Sequence, residues 1–107
     1  LSLLSIPKLK NIDHLNFYGL LSLSTLDAPA LETMGVQNFQ SSNIDVYNLN
    51  RVTNFGPTTG HESNFVNITG RVITLTTKSI HQTSNGGNLE GDLDLLDTNN
   101  TVTFNFI

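Results

Sequence analysis

The feature that most constrains this chain is an internal repeat of about 22 residues. Leu4-Ser5-Ile6-Pro7-Lys8-Leu9-Lys10-Asn11-Ile12 aligns with Leu26-Asp27-Ala28-Pro29-Ala30-Leu31-Glu32-Thr33-Met34. The Leu, Pro and Leu positions coincide, Ile12 faces Met34, and Asn16-Phe17 falls on Asn38-Phe39 at the same offset (39 minus 17). Units this short cannot cover their own apolar face, so they gain stability by stacking on their neighbours. Proline bends the chain, and the two apolar side chains that follow it turn inward. His14-Leu15-Asn16-Phe17 then alternates with the period of two of a half-buried strand. Gly19-Leu20-Leu21-Ser22-Leu23 turns the chain back.

The register is interrupted at Gln37, which falls where Leu15 stands. Either a buried glutamine hydrogen-bonds along the stack, or the strand slips by one and turns Val36 inward; the slip is favoured. Leu49-Asn50-Arg51-Val52 starts a third repeat, with Leu49 echoing Leu9 and Leu31, and Val52 echoing Ile12 and Met34. It runs into Asn54–Ser63, whose Gly and Pro content reads as a loop insertion. Further strands are predicted over Phe65-Val66-Asn67-Ile68, Arg71–Thr77, Leu89–Leu95 and Val102–Phe106, with turns at Thr83–Asn88 and Asp97–Asn100. Ile73 with Leu95, and Ile80 with Val102, keep the offset of about 22. The pattern predicts no full helix. Ala28–Val36, which follows Pro29 and contains Gly35, is at most one helical turn on the outside.

The expectation is therefore an all-β parallel solenoid covering residues 1–107 as one segment of a longer chain. Composition agrees: 13% of residues are charged, against roughly 25% in ordinary soluble domains. Asn, Ser and Thr take their place, and these suit turns and outward strand positions better than helix interiors. The net charge of −4, with Lys8 and Lys10 the one close basic pair, excludes a nucleic-acid stripe. No apolar run approaches the roughly 20 residues of a membrane span. Cysteine is absent, so there are no disulfides or thiolate sites. Leu1-Ser2-Leu3-Leu4 has neither an initiator Met nor a charged leader region, so the chain is expected to begin inside a longer precursor, after any signal peptide. Both ends break off in repeat-like strands without a polar cap, which implies neighbouring repeats or self-assembly through those ends.

Few residues carry chemistry. Asn67-Ile68-Thr69 and Asn99-Asn100-Thr101 are glycosylation sequons, which arise readily by chance in a chain this rich in Asn and Thr. Asn99, in a turn, is the better candidate; Asn67, in a strand, must point outward. His14, His61 and His81 have no i, i+4 partner and read as surface or turn residues rather than metal ligands. Glu90, Asp92, Asp94 and Asp97 form an acidic run without the Gly-rich calcium repeat, and Asp92 and Asp94 share the solvent face of the expected strand. Asp45 and Glu62 could form a carboxylate pair, but nothing in the sequence brings them together. No Gly-x-Ser-x-Gly elbow occurs, and Gly86-Gly87 is a turn with no helix behind it. Tyr18 and Tyr47 read as amphipathic surface residues. No catalytic, cofactor-binding or metal-ligating residue is assigned, and the chain is expected not to be an enzyme.

The residues Ile6–Phe17 and Ala28–Met34, with Leu89-Glu90-Gly91-Asp92-Leu93-Asp94-Leu95 and Asn99-Asn100, resemble the receptor L-domain-like leucine-rich repeats of fungal GPI-anchored cell-wall proteins (the sporulation-specific and extracellular-mutant group). The resemblance covers about two-thirds of the chain. It implies a solenoid of L-domain, leucine-rich-repeat type in a secreted, glycosylated wall protein. The implied role is structural or adhesive, and the implied partners are wall glycans or neighbouring wall proteins. Asn54–Ser63 has no counterpart in the pattern, the Ser/Thr-rich stalk is missing and no hydrophobic GPI tail follows Ile107. A second resemblance, carried by Thr76–Ile80, Gly91–Leu95 and Val102–Phe106, is to bacterial polyisoprenoid-binding, lipocalin-like proteins. It implies a small antiparallel barrel around a lipid, and leaves the Pro-Leu repeat unexplained. A third possibility is a fragment of a β-helical polysaccharide enzyme.

Overall fold

Proline sets the corners. In the computed structural model, the Leu9 N–H donates to the Ile6 carbonyl at 3.4 Å and the Leu31 N–H to the Ala28 carbonyl at 3.3 Å. Pro7 and Pro29 thus hold the second position of equivalent β-turns, where the ring pre-sets the required φ. The structure describes residues 3–12, 17–35, 37–53, 55, 64–65, 67–81 and 91–107, without the side chains of Gly91 and Asp92.

The described residues form seven strands and one helix: β1 (Leu3–Ser5), β2 (Asn11–Ile12), β3 (Thr25–Asp27), β4 (Thr33–Met34), β5 (Val46–Leu49), β6 (Val72–Thr77), α1 (Gly91–Asn99) and β7 (Thr101–Phe106). A 3₁₀ turn, Ser79–His81, follows β6. Five strands form a parallel sheet in the order β1-β3-β5-β6-β7, and β2 pairs with β4 in a second parallel sheet. The protein is thus mostly β with one helix. The large sheet is open and every described pairing in it is parallel, which overturns the antiparallel lipocalin-like barrel.

The offset of 22 is realised in the first two repeats, as Leu4↔Leu26 and Ile12↔Met34. It then shifts to 21 (Leu26↔Tyr47), 28 (Tyr47↔Leu75) and 29 (Leu75↔Phe104). This corrects two sequence expectations. Thr53 donates to the Glu32 carbonyl, so by the same offset of 21 (53 minus 32) Val52 is the equivalent of Leu31, and Phe55 that of Met34. Ile73 pairs with Val102, not Leu95. The inserted residues lengthen the connections while the inward positions stay in step.

Alternation explains the core. Leu26, Tyr47, Leu49, Ile73 and Leu75 are fully buried, and their strand neighbours are half-buried or exposed. Beside the sheet runs a column of phenylalanines. Phe17 stacks on Phe39 at 5.6 Å between ring centroids, and Phe39 on Phe65 at 5.3 Å. Tyr47 meets Phe39 and Phe65 edge-on at 5.2 and 5.5 Å. Such pairs contribute about 0.5–1.5 kcal/mol each beyond simple burial. The backbone follows the same register: Phe17 N donates to Asn38 O, and Phe39 N to Asn64 O.

Two residues past each phenylalanine the chain takes a left-handed conformation, at Gly19 (φ 67°), Ser41 (φ 57°) and Asn67 (φ 59°). Asn67 therefore lies in a turn, and the described residues of the strand expected over Phe65–Ile68 (Phe65, Asn67 and Ile68) are not in a strand. Gln37 is also left-handed (φ 57°) and half-buried, which explains why it breaks the strand pattern. Val36 lies outside the described residues, as do His14–Asn16 of the first expected strand. The candidate helical turn after Pro29 is a β-turn leading into β4.

Gly91–Asn99 is a helix where sequence alternation predicts a strand. Leu93 and Leu96 are fully buried, Leu95 is half-buried, and Asp94 and Asp97 are exposed. That is spacing of three, not two. Leucine is a good helix former, and side chains close the helix end: Thr98 Oγ1 donates to Asp94 O, Asn99 Nδ2 to Leu95 O and Asn100 Nδ2 to Leu96 O.

Candidate interaction face

The outward side of the large sheet presents two ranks of side chains in strict register. One is Leu3, Thr25, Val46, Thr74 and Thr103; the other is Ser5, Asp27, Asn48, Thr76 and Asn105. Val72 and Thr101 begin a third. Hydrogen bonds run along the second rank. Ser5 Oγ and Asn48 Nδ2 donate to the two oxygens of Asp27 (3.3 and 3.2 Å), and Asn105 Nδ2 to Thr76 Oγ1 (3.4 Å). On the smaller sheet Thr33 Oγ1 donates to Asn11 Oδ1. At the β1 end, a cleft of ≈ 360 Å³ is lined by Leu4, Gly19, Leu20, Leu21, Ser22 and Leu23.

Internal asparagines play a different part. Asn38 Nδ2 donates to Asn64 Oδ1 at 2.8 Å, and Asn64 Nδ2 to the Gly35 carbonyl at 3.0 Å, with both residues fully buried. Of the Asn-Phe pairs in the sequence, Asn64-Phe65 is thus the third to take the column position, after Asn16-Phe17 and Asn38-Phe39. Its offset of 26 (65 minus 39) departs from the 22 of the first two repeats, so the sequence period does not reveal it. Near β6, Arg71 Nη2 meets Asp45 Oδ1 at 2.6 Å, and Arg71 Nη1 and Nη2 reach Asn43. This ion pair engages the Asp45 carboxylate; Glu62 lies outside the described residues. Asn100 ties α1 to the sheet: its Oδ1 accepts from Arg71 N at 3.0 Å, and its Nδ2 donates to Ile68 O at 2.9 Å.

The two sequons occupy one rim. Asn67 is exposed in its turn, and Asn99 is exposed as the last residue of α1 rather than in a free turn. The Asn99 carbonyl accepts from Gly70 N at 2.9 Å, so the stretch after one sequon touches the other.

Two surface readings fail. His81 is fully buried, its Nε2–H donating to the Val52 carbonyl at 2.6 Å and its ring edge-on to Phe55 at 4.8 Å. Phe55, inside the expected insertion Asn54–Ser63, is itself a core residue. Tyr47 is fully buried, whereas Tyr18 is 55% exposed. Burial pushes the Tyr47 phenol well above its ordinary value, opposed by Ser42 and Arg71. Among the described residues no well-formed hydrogen bond reaches its hydroxyl. The acidic run lies partly outside the described residues, and its described members, Asp94 and Asp97, sit on the exposed side of a helix rather than a strand. His14, His61 and Gly86-Gly87 also lie outside. Among the described residues no three His, Cys, Asp or Glu side chains gather as a metal site, and no helix is long and apolar enough to cross a membrane.

No protein-family model, curated protein or solved structure matches this chain.

Proposed function

We propose that this chain is a non-catalytic structural or adhesive module of a secreted, fungal-type cell-wall protein, folded as a parallel β-solenoid of L-domain, leucine-rich-repeat type. The observation that carries the reading is the pair of in-register ranks on the outward sheet face, polar at eight of their ten positions, with Leu3 and Val46 the two apolar members. Small hydroxyl and amide side chains there offer many weak, similar contacts. Such an array suits an extended glycan or a neighbouring wall protein better than a small molecule. The parallel pairings between successive repeats, the Pro7 and Pro29 corners and the phenylalanine column support the solenoid. Asn67 and Asn99, both exposed on one rim, are the proposed glycan attachment sites, leaving the ranked face uncovered.

Retention of the purified protein on insoluble wall polysaccharides tests the role. Binding is expected to weaken when bulky charge is placed on the face, as in Thr74→Lys with Thr103→Lys, while the fold stays intact by circular dichroism. Equal retention of that variant overturns the assignment of the face. Glycopeptide mass spectrometry after expression in a eukaryotic secretory host tests the route; both sequons unmodified would count against it.

A further inference from the structure

We propose that the outward face binds a linear, uncharged, β-linked polysaccharide laid across the strands, with one sugar unit over each strand. The inference rests on the glycan-facing reading above and adds the class of glycan, its direction and its useful length.

Direction follows from spacing. Within a rank, equivalent side chains recur at the strand separation of about 4.8 Å. An extended β-linked chain of hexose rings advances by nearly the same distance per ring, so successive rings meet equivalent strand positions, which in the first rank carry hydroxyls on β3, β6 and β7 and the apolar Leu3 and Val46 on β1 and β5. Along a strand the repeat is longer, about 6.6 Å for alternate residues, and no strand of the sheet exceeds six residues. A chain running along a strand would therefore find few contacts and a mismatched step.

Class follows from chemistry. The side chains of Thr25, Thr74 and Thr103 make no hydrogen bond within the described protein, so each hydroxyl is free to donate and accept as sugar hydroxyls require. The second rank is braced internally through Ser5–Asp27–Asn48 and Asn105–Thr76. Asp27 is the single charged side chain in the two ranks, and neither rank holds a basic one. A polyanion such as a polyuronate would meet repulsion there and no compensating cation. With no aromatic residue in the ranks to stack on a ring, each sugar is held weakly, and affinity must accumulate by repetition.

The test is a calorimetric or NMR titration of the intact chain with cello- and chito-oligosaccharides of increasing length, against uronate oligomers. Affinity should rise with each added unit until the five strands are covered and then level off, with uronates inert. Thr74→Val with Thr103→Val, which removes two hydroxyls and keeps β-branched side chains, should weaken the longest ligand by about tenfold. Length-independent binding, preference for uronates, or an unaffected double variant overturns the inference. If the protein is still retained on insoluble wall polysaccharides in that case, the adhesive reading survives without it. Loss of both kinds of binding overturns both.

Discussion

Single polar residues hold this molecule in register, and they do so from inside. Removing Asn64 strips a partner from Asn38 Nδ2, from the Asn38 backbone N–H and from the Gly35 carbonyl. Losing a hydrogen-bond partner at buried and half-buried groups costs about 1–3 kcal/mol each. Asn64→Ala is therefore expected to lower unfolding stability by about 3 kcal/mol in a denaturant titration. Tyr47 is the opposite case. Its hydroxyl is buried without a well-formed bond among the described residues, so Tyr47→Phe should be neutral or stabilising by about 1 kcal/mol. The same burial raises the phenol's folded value above the unfolded one of 10.0. The unfolded chain then releases the proton first, so stability is intact below that pH and falls as pH rises through it. A base titration should show wild type losing stability above about pH 10 and Tyr47→Phe losing less. Neither role was legible beforehand. Tyr47 sits in an alternating polar stretch that reads as surface, and Asn64 is the outlier of a repeat whose spacing had changed.

At the scale of elements, helix α1 is where sequence pattern and structure part. Asp92-Leu93-Asp94-Leu95 alternates and reads as a strand, but Leu96 breaks the alternation and joins Leu93 on one buried face. The two readings assign opposite roles to neighbours. In a strand, Leu95 points in and Leu96 out; in the helix, Leu96 is fully buried and Leu95 half-buried. Leu96→Ala is thus expected to cost about 2–4 kcal/mol and Leu95→Ala about 1 kcal/mol, measured by thermal or chemical unfolding. The reverse order would restore the strand. By contrast β6 and β7 were legible from their β-branched alternation. So were the corners at Pro7 and Pro29, because proline leaves one turn position open to it.

Taken whole, the molecule has a radius of gyration of 12.4 Å and extents of 38 × 28 × 22 Å, close to the roughly 13 Å of any globular chain of about 100 residues. Five strands stacked about 4.8 Å apart give a short pile, so overall dimensions do not separate stacked repeats from other compact folds. The separating feature is register. The first two repeats were readable at one offset because no residue is inserted between them. Later connections lengthen the step to 28 and 29, so a fixed period of 22 misaligns Ile73 with Leu95. The outward ranks exist only because each longer connection returns the chain to the same phase.

Nuclear Overhauser contacts between selectively labelled phenylalanine rings test that phase most directly. Ring protons of Phe39 should show contacts to both Phe17 and Phe65, which lie at 5.6 and 5.3 Å between centroids on either side of it. Cross-peaks from Phe39 to neither ring would mean that the repeats do not stack in step.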